Sequence, residues 1–131
     1  MDLHGLHVLL AEDNDLNAEI AVSLLEEQGM IVTRAADGRS ALIQFCNTAP
    51  GTFDLILMDI MMPEMNGYET TKAIRNLPDR PDGKEIPIIA MTANAFAEDV
   101  QAALKAGMDD HVAKPIDMSI LISVITKYIE Q

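Results

Sequence analysis

Glu12-Asp13, Asp59, Thr92 and Lys114 are the residues of this chain whose types and positions lend themselves to chemistry. Each follows a short apolar run: His7 to Ala11, Leu55 to Met58, Ile86 to Met91, and His111 to Ala113. Runs of this kind are the pattern of strands buried on both faces of a parallel sheet. Parallel strands end on one rim, so three carboxylates, a hydroxyl and an ammonium would gather there. Converging carboxylates repel and raise one another's pKa unless something positive sits among them. A hard divalent cation meets that need, and Mg²⁺ prefers oxygen ligands, takes few carboxylates and keeps several waters. One oxygen of Asp59 could then be a ligand while the other stays free as a nucleophile. Thr92 would donate to a phosphoryl oxygen, and Lys114 would neutralise a second one as a point charge. The set suits phosphoryl transfer onto Asp59.

Taken singly, each group has a plainer reading. Asp59 could cap a loop, Glu12-Asp13 could complement a helix dipole, Thr92 could simply end a strand, and Lys114 could be a solvated charge. Complementary chemistry at four strand ends favours the joint reading.

The elements that would hold these residues alternate along the chain. After the first strand, a helix is expected with Asn14 or Asp15 as N-cap, Leu16, Ile20, Leu24 and Leu25 on its inner face, and Gly29 at its end. Met30 to Ala35 reads as a second strand, Asp37-Gly38 as a turn, and Ser40 to Cys46 as a helix presenting Ala41, Leu42 and Phe45. Pro50-Gly51 closes that unit. After Asp59, Met62-Pro63 and Asn66-Gly67 supply turn chemistry. Tyr68 to Leu77 follows as a helix with Ala73, Ile74 and Leu77 inward. Residues 78–85 read as an exposed loop. Phe96, Val100, Ala103 and Leu104 mark a helix ended by Gly107, and Ile120, Leu121, Val124, Ile125 and Tyr128 mark an amphipathic last helix. Five strand–helix units predict an α/β, doubly wound domain with helices on both faces of a parallel sheet.

At 131 residues the chain is expected to form one domain, 1–131, with an ordered core over 5–130. Apolar residues make up 49% and charged residues 23%, an ordinary globular composition. The net charge of −12, from 21 acidic against 9 basic side chains, argues against direct binding of nucleic acid or an anionic membrane. It fits a cation site or a partner with a basic surface. Cys46 is the single cysteine, so no disulfide staples the fold. No apolar run approaches the ~18 residues of a membrane span, and no signal-peptide core is present, so a cytoplasmic location is expected.

Leu10-Ala-Glu-Asp-Asn14, Leu57-Met-Asp-Ile-Met-Met-Pro-Glu-Met-Asn-Gly67, Ala90-Met-Thr-Ala93 and Val112-Ala-Lys-Pro115 together resemble the receiver domain of bacterial two-component response regulators (CheY-like). The resemblance covers essentially the whole chain in the family's order and spacing. It implies a flavodoxin-like (βα)5 fold with strand order 2-1-3-4-5. It implies that Asp59 accepts a phosphoryl group from a partner's phosphohistidine. It further implies Mg²⁺ bound by Asp13, Asp59 and the backbone carbonyl of Met61, with Glu12 acting through water. Thr92 and Lys114 take the switch and phosphate-binding roles, and the bond before Pro115 is expected to be cis. Asn14-Asp-Leu-Asn17, Met91-Thr-Ala-Asn-Ala-Phe96 and Gly107-Met-Asp-Asp-His-Val-Ala-Lys-Pro115 resemble receivers fused to hybrid sensor histidine kinases. The partner implied is a kinase's phosphohistidine domain or a histidine phosphotransfer domain. A stand-alone response regulator and a phosphorylation-independent pseudo-receiver remain as alternatives, and whether the parent chain is itself a kinase stays open.

One position departs from the family. His111 stands where many receivers carry the Tyr or Phe of the switch, which puts the inward-turning aromatic account in question here. A haloacid-dehalogenase-type phosphatase would need a second Asp two residues after Asp59, where Met61 stands. A nucleotide-binding domain would want a Gly-rich first turn in place of Glu12-Asp-Asn-Asp15. The donor is expected to dock over the rim beside Asn14 to Gln28. The face around the helix after Thr92, the last strand and the last helix is expected to respond to phosphorylation.

Overall fold

A computed structural model of the protein describes residues 3–93 and 97–129. Its strands are β1 (His7–Ala11), β2 (Ile31–Ala35), β3 (Leu55–Asp59), β4 (Ile88–Thr92) and β5 (Asp110–Ala113). They form one sheet in the order β2-β1-β3-β4-β5, every pair parallel. The helices are α1 (Asp15–Glu27), α2 (Gly38–Cys46), α3 (Gly67–Arg75), α4 (Pro81–Glu85), α5 (Ala97–Ala106) and α6 (Met118–Ile129). The doubly wound fold and strand order expected from the sequence are therefore the observed ones. Among the described residues no helix is long and apolar enough to cross a membrane.

Alternation along the buried strands feeds two cores. Leu9, Ala11, Ile56 and Met58 point to one side, against Phe45 of α2, Ile74 of α3 and Ala103 of α5. Val8, Leu10, Leu55 and Leu57 point to the other, against Leu25 of α1 and Leu121 and Ile125 of α6. Every residue of β3 and β4 is buried. The register levels the strand ends: Ala11 pairs with Met58, Asp59 with Met91, and Thr92 with Ala113. Glu12, Asp59, Thr92 and Lys114 are thereby delivered to one rim.

Two expectations are corrected. The inner face of α1 is Ala18, Ala21 and Leu25, whereas Leu16 is 65% and Ile20 52% exposed. Short alanines let the helix lie close to the sheet, and the larger residues form a second apolar stripe facing outward. Residues 78–85 are more than an exposed loop, because Pro81, with its preset φ, opens the short helix α4. Arg80 secures it with a bidentate pair to Asp82 and a bond from Nη1 to the Phe45 carbonyl at 2.9 Å. Smaller differences lie at element ends and faces. Met30, Ile86 and Pro87 precede their strands, Leu104 and Ile120 are exposed, and Thr70 and Thr71 are buried without having been expected. Phe96 lies outside the described residues.

Arg75 joins the far end of the sheet. From α3 its Nε donates to the Gly107 carbonyl at 2.9 Å, and its Nη1 to those of Gly83 and Ile86 at 3.0 and 2.8 Å. Its Nη2 pairs with Asp109 at 3.0 Å, and Asp109 in turn accepts the Ile88 N–H. One guanidinium thus ties α3, α4, the start of β4 and the turn before β5. Arg75→Met leaves three carbonyls without their donor and Asp109 with the Ile88 N–H but no cationic partner. It should lower the unfolding free energy by about 2–4 kcal/mol, read as a fall in urea midpoint at unchanged m.

Candidate functional site

The rim is built from both backbone and side chains. The Glu12 N–H extends the sheet by donating to the Ala35 carbonyl at 3.1 Å. Its carboxylate turns inward, where Oε2 accepts the Asn14 N–H at 3.1 Å and Oε1 receives Lys114 Nζ at 2.9 Å. Asn14 caps α1, its side chain accepting the Asn17 N–H at 2.9 Å. The chain therefore turns at Asp13, leaving that carboxylate exposed at the cleft mouth.

Asp59 closes β3 with only 5% of its surface exposed, and its Oδ2 lies 3.0 Å from the same Lys114 Nζ. The loop after it is drawn tight by the Gly67 N–H, which donates to the Ile60 carbonyl at 2.8 Å. A Cβ at Gly67 would run into the Asp59 carbonyl and the Ile60 backbone, so only glycine permits this approach. Asn66 and Glu69 then form a reciprocal capping box that starts α3. Met61 is 77% exposed beside Asp59, while Met62 anchors the loop in the core. Thr92 is buried at the end of β4, and its carbonyl accepts the Lys114 N–H at 2.8 Å. The next peptide bond, Lys114–Pro115, is cis.

Glu12, Asp13, Asp59, Met61, Thr92 and Lys114 line a cleft of about 400 Å³ that also includes Ala93, Asn17, Tyr68 and Asp99. Asn17, Tyr68 and Asp99 were given no site role from the sequence. Asn17 lies one turn into α1 and Tyr68 just after the Asn66 cap, so cap chemistry points to both in retrospect. Asp99 enters from α5 and has no such local signal. His111 is not among the cleft residues. It stands on β5 with its ring partly exposed, Nδ1 3.7 Å from Asp110 Oδ1.

Carboxylate oxygens of Glu12, Asp13 and Asp59 come within 4.8 Å of one another. Burial pushes the Asp59 carboxyl up to about 6, Lys114 opposing it and the Glu12 charge adding to it. Burial acts on Glu12 as well, but the donors Lys114 and Asn14 outweigh it and hold Glu12 below the ordinary range. Lys114 is raised, its two carboxylate partners prevailing over burial. One lysine thus serves two buried acids, and Asp59 is the one left under-compensated. This all-oxygen set, short of positive charge and open on the Asp13 side, fits a hard divalent cation.

The sign of the Asp59 effect on stability follows from linkage. The unfolded chain releases this proton near ~4, the folded protein near 6, so the group costs stability as pH rises through that window and keeps that cost above it. In metal-free buffer, Asp59→Asn should therefore stabilise the fold by about 1–3 kcal/mol at pH 7.5. The gain should shrink as pH falls from 6 to 4 in paired urea titrations. A gain that did not change with pH would assign the effect to packing instead.

The response regulator receiver domain family matches residues 8–126. The chain is 42% identical over 130 residues to the hybrid signal transduction histidine kinase I of Dictyostelium discoideum, covering 95% of this chain and 7% of that protein. It is 40% identical over 128 residues to the aerobic respiration control sensor protein ArcB of Escherichia coli, covering 98% and 16%. The chain thus spans a small part of these relatives' lengths. Among solved structures, it is similar to the receiver domain of the sensor histidine kinase PA1611 from Pseudomonas aeruginosa, which has a magnesium ion coordinated in its active site cleft. That match has a TM-score of 0.85 and 36% identity, over 97% of this chain and 99% of that one. It is similar also to a response regulator receiver domain co-crystallised with a histidine phosphotransfer signaling protein of Saccharomyces cerevisiae, with a TM-score of 0.82 and 28% identity, over 97% and 90%. A sheet that delivers two acids, an aspartate, a threonine and a lysine to one rim, matched over nearly its whole length, places the chain in the response regulator receiver domain family.

Proposed function

We propose that residues 1–131 act as one receiver domain that accepts a phosphoryl group on Asp59 from a phosphohistidine, as the receiver of a hybrid sensor histidine kinase in the cytoplasm. The observation that carries this reading is Lys114 Nζ held between Glu12 and Asp59 at 2.9 and 3.0 Å. It puts a cation against a buried carboxylate in an open cleft, where a phosphoryl group would arrive. Asp13, Asp59 and the Met61 carbonyl would hold Mg²⁺, with Glu12 acting through water, and the ion would neutralise charge on the phosphoryl oxygens. An Asp59 carboxylate oxygen attacks phosphorus as the bond to the donor's imidazole nitrogen breaks, and that nitrogen keeps the electron pair. Lys114 then turns from Asp59 to a phosphoryl oxygen, and the Thr92 hydroxyl donates to another. Both residues sit at strand ends that lead to α5 and α6, so the α5–β5–α6 face, His111 included, responds to the new charge.

The donor must reach Asp59 across the rim. Beside the acidic cleft lies a second recess of about 300 Å³, lined by Asn17, Ile20, Ala21, Pro115 and Ile116 among others. The exposed Leu16 and Ile20 continue it along α1. An apolar stripe edged by acids suits a phosphohistidine-bearing domain with a complementary apolar and basic face, either a kinase's own or a histidine phosphotransfer domain.

Incubation with acetyl phosphate and Mg²⁺ should give a phosphoryl adduct by intact mass that is absent in Asp59→Asn. An adduct that persists in the variant places the acceptor elsewhere, and no adduct in the parent protein defeats the reading. Ile20→Glu should slow transfer from a protein phosphodonor at least ~10-fold, the scale of losing a buried apolar anchor. Its labelling by acetyl phosphate should be unchanged. Equal loss with both donors would mean that the stripe supports the site rather than the docking.

A further inference from the structure

Arg34, on the edge strand β2, makes contacts that the phosphoacceptor reading leaves unused. Its Nε and Nη2 both donate to the backbone carbonyl of Glu12, at 3.1 and 2.8 Å. The β1–β2 ladder ends at the pair Ala11 and Ala35, because at Asp37 the second strand has already turned to cap α2. The guanidinium therefore supplies donors where the backbone ladder stops. With the Glu12 N–H bonded to Ala35, both polar backbone atoms of Glu12 are tied to β2. Glu12 is the residue from which the two carboxylates diverge, its own toward Lys114 and that of Asp13 toward the cleft mouth. The same Nη2 reaches Asp15 Oδ1 at 3.0 Å, but that carboxylate is almost fully exposed and the pair contributes little.

We propose that Arg34 is a positioning residue for divalent-cation binding: its fork on the Glu12 carbonyl fixes the peptide from which Glu12 and Asp13 are aimed. The proposal rests on the metal-binding part of the function above and concerns a residue that would touch neither ion nor phosphate. A planar five-donor fork is what the role requires. Lysine would keep the charge but lose the paired bonds. The sign of the effect separates position from charge. Removing a nearby positive charge should by itself tighten cation binding, whereas releasing the turn should weaken it, and outer-shell partners of metal ligands commonly carry ~10–100-fold in affinity.

The test is Mg²⁺ titration by calorimetry of the 131-residue protein and of Arg34→Lys, Arg34→Met, Asp15→Asn and Asp13→Asn. Both arginine variants should bind Mg²⁺ about 10-fold more weakly, and Asp15→Asn within about 3-fold of the parent. In acetyl phosphate labelling, the half-saturating Mg²⁺ should rise by the same factor while the rate at saturating Mg²⁺ is kept, a split that general destabilisation would not give. Unchanged or tighter binding in Arg34→Lys overturns the proposal, whatever its melting temperature, and that variant decides alone if Arg34→Met does not fold. If Asp13→Asn also binds undiminished, the ion lies elsewhere and the underlying metal reading fails with it.

Discussion

Lys114 Nζ, within 3.0 Å of both Glu12 and Asp59, is the contact on which the rest of this structure converges. Two acids buried on adjacent strand ends would be prohibitive alone, since an uncompensated buried charge costs several kcal/mol. A single lysine compensates them unequally. Glu12, with Lys114 and a backbone N–H, stays ionised, while Asp59 is held up near 6. The fold thus keeps Asp59, the proposed acceptor, in an environment short of positive charge. In the proposed reaction a divalent cation would repay that deficit, and an incoming phosphoryl group would bring further negative charge for the cation and Lys114 to neutralise.

The sheet makes this arrangement rigid. β3 is buried on both faces, and its neighbours hold it in a register that leaves little freedom to the residues just beyond it. Gly67 lets the following loop fold back against Asp59, and Gly38 allows the α2 start to lie against the Met65 carbonyl. At the opposite end, Arg75 gathers α3, α4 and the β5 turn. Beyond the strand ends it is the long side chain of Lys114 that spans the two buried acids.

Most of the site was legible because its residues directly follow apolar runs, and parallel topology alone places such ends together. The fold was legible for the same reason, through five runs separated by helical patterns. The phase of α1 was not. Leu16 and Ile20 outweigh Ala18 and Ala21 in any count of apolar residues, yet a helix lying close to a sheet buries the small ones. Residues 78–85 were misread because what orders them is remote: Arg80 on the Phe45 carbonyl and Asp82 on the Gly51 N–H. Arg75 and Arg34 bond to backbone carbonyls far along the chain, and no local pattern announces such a bond. Asp99 shares that difficulty, because it reaches the cleft only through the packing of α5.

The central claim is that Asp59 is electrostatically under-compensated until a cation arrives, and carboxyl ¹³C NMR on selectively labelled aspartate reads this directly. In metal-free protein the Asp59 resonance, assigned by its absence in Asp59→Asn, should titrate near 6 rather than near the ordinary ~4. Saturating Mg²⁺ should move that midpoint below the ordinary value, because a bound cation reverses the local balance. A metal-free midpoint near ~4 that Mg²⁺ leaves in place would contradict the account.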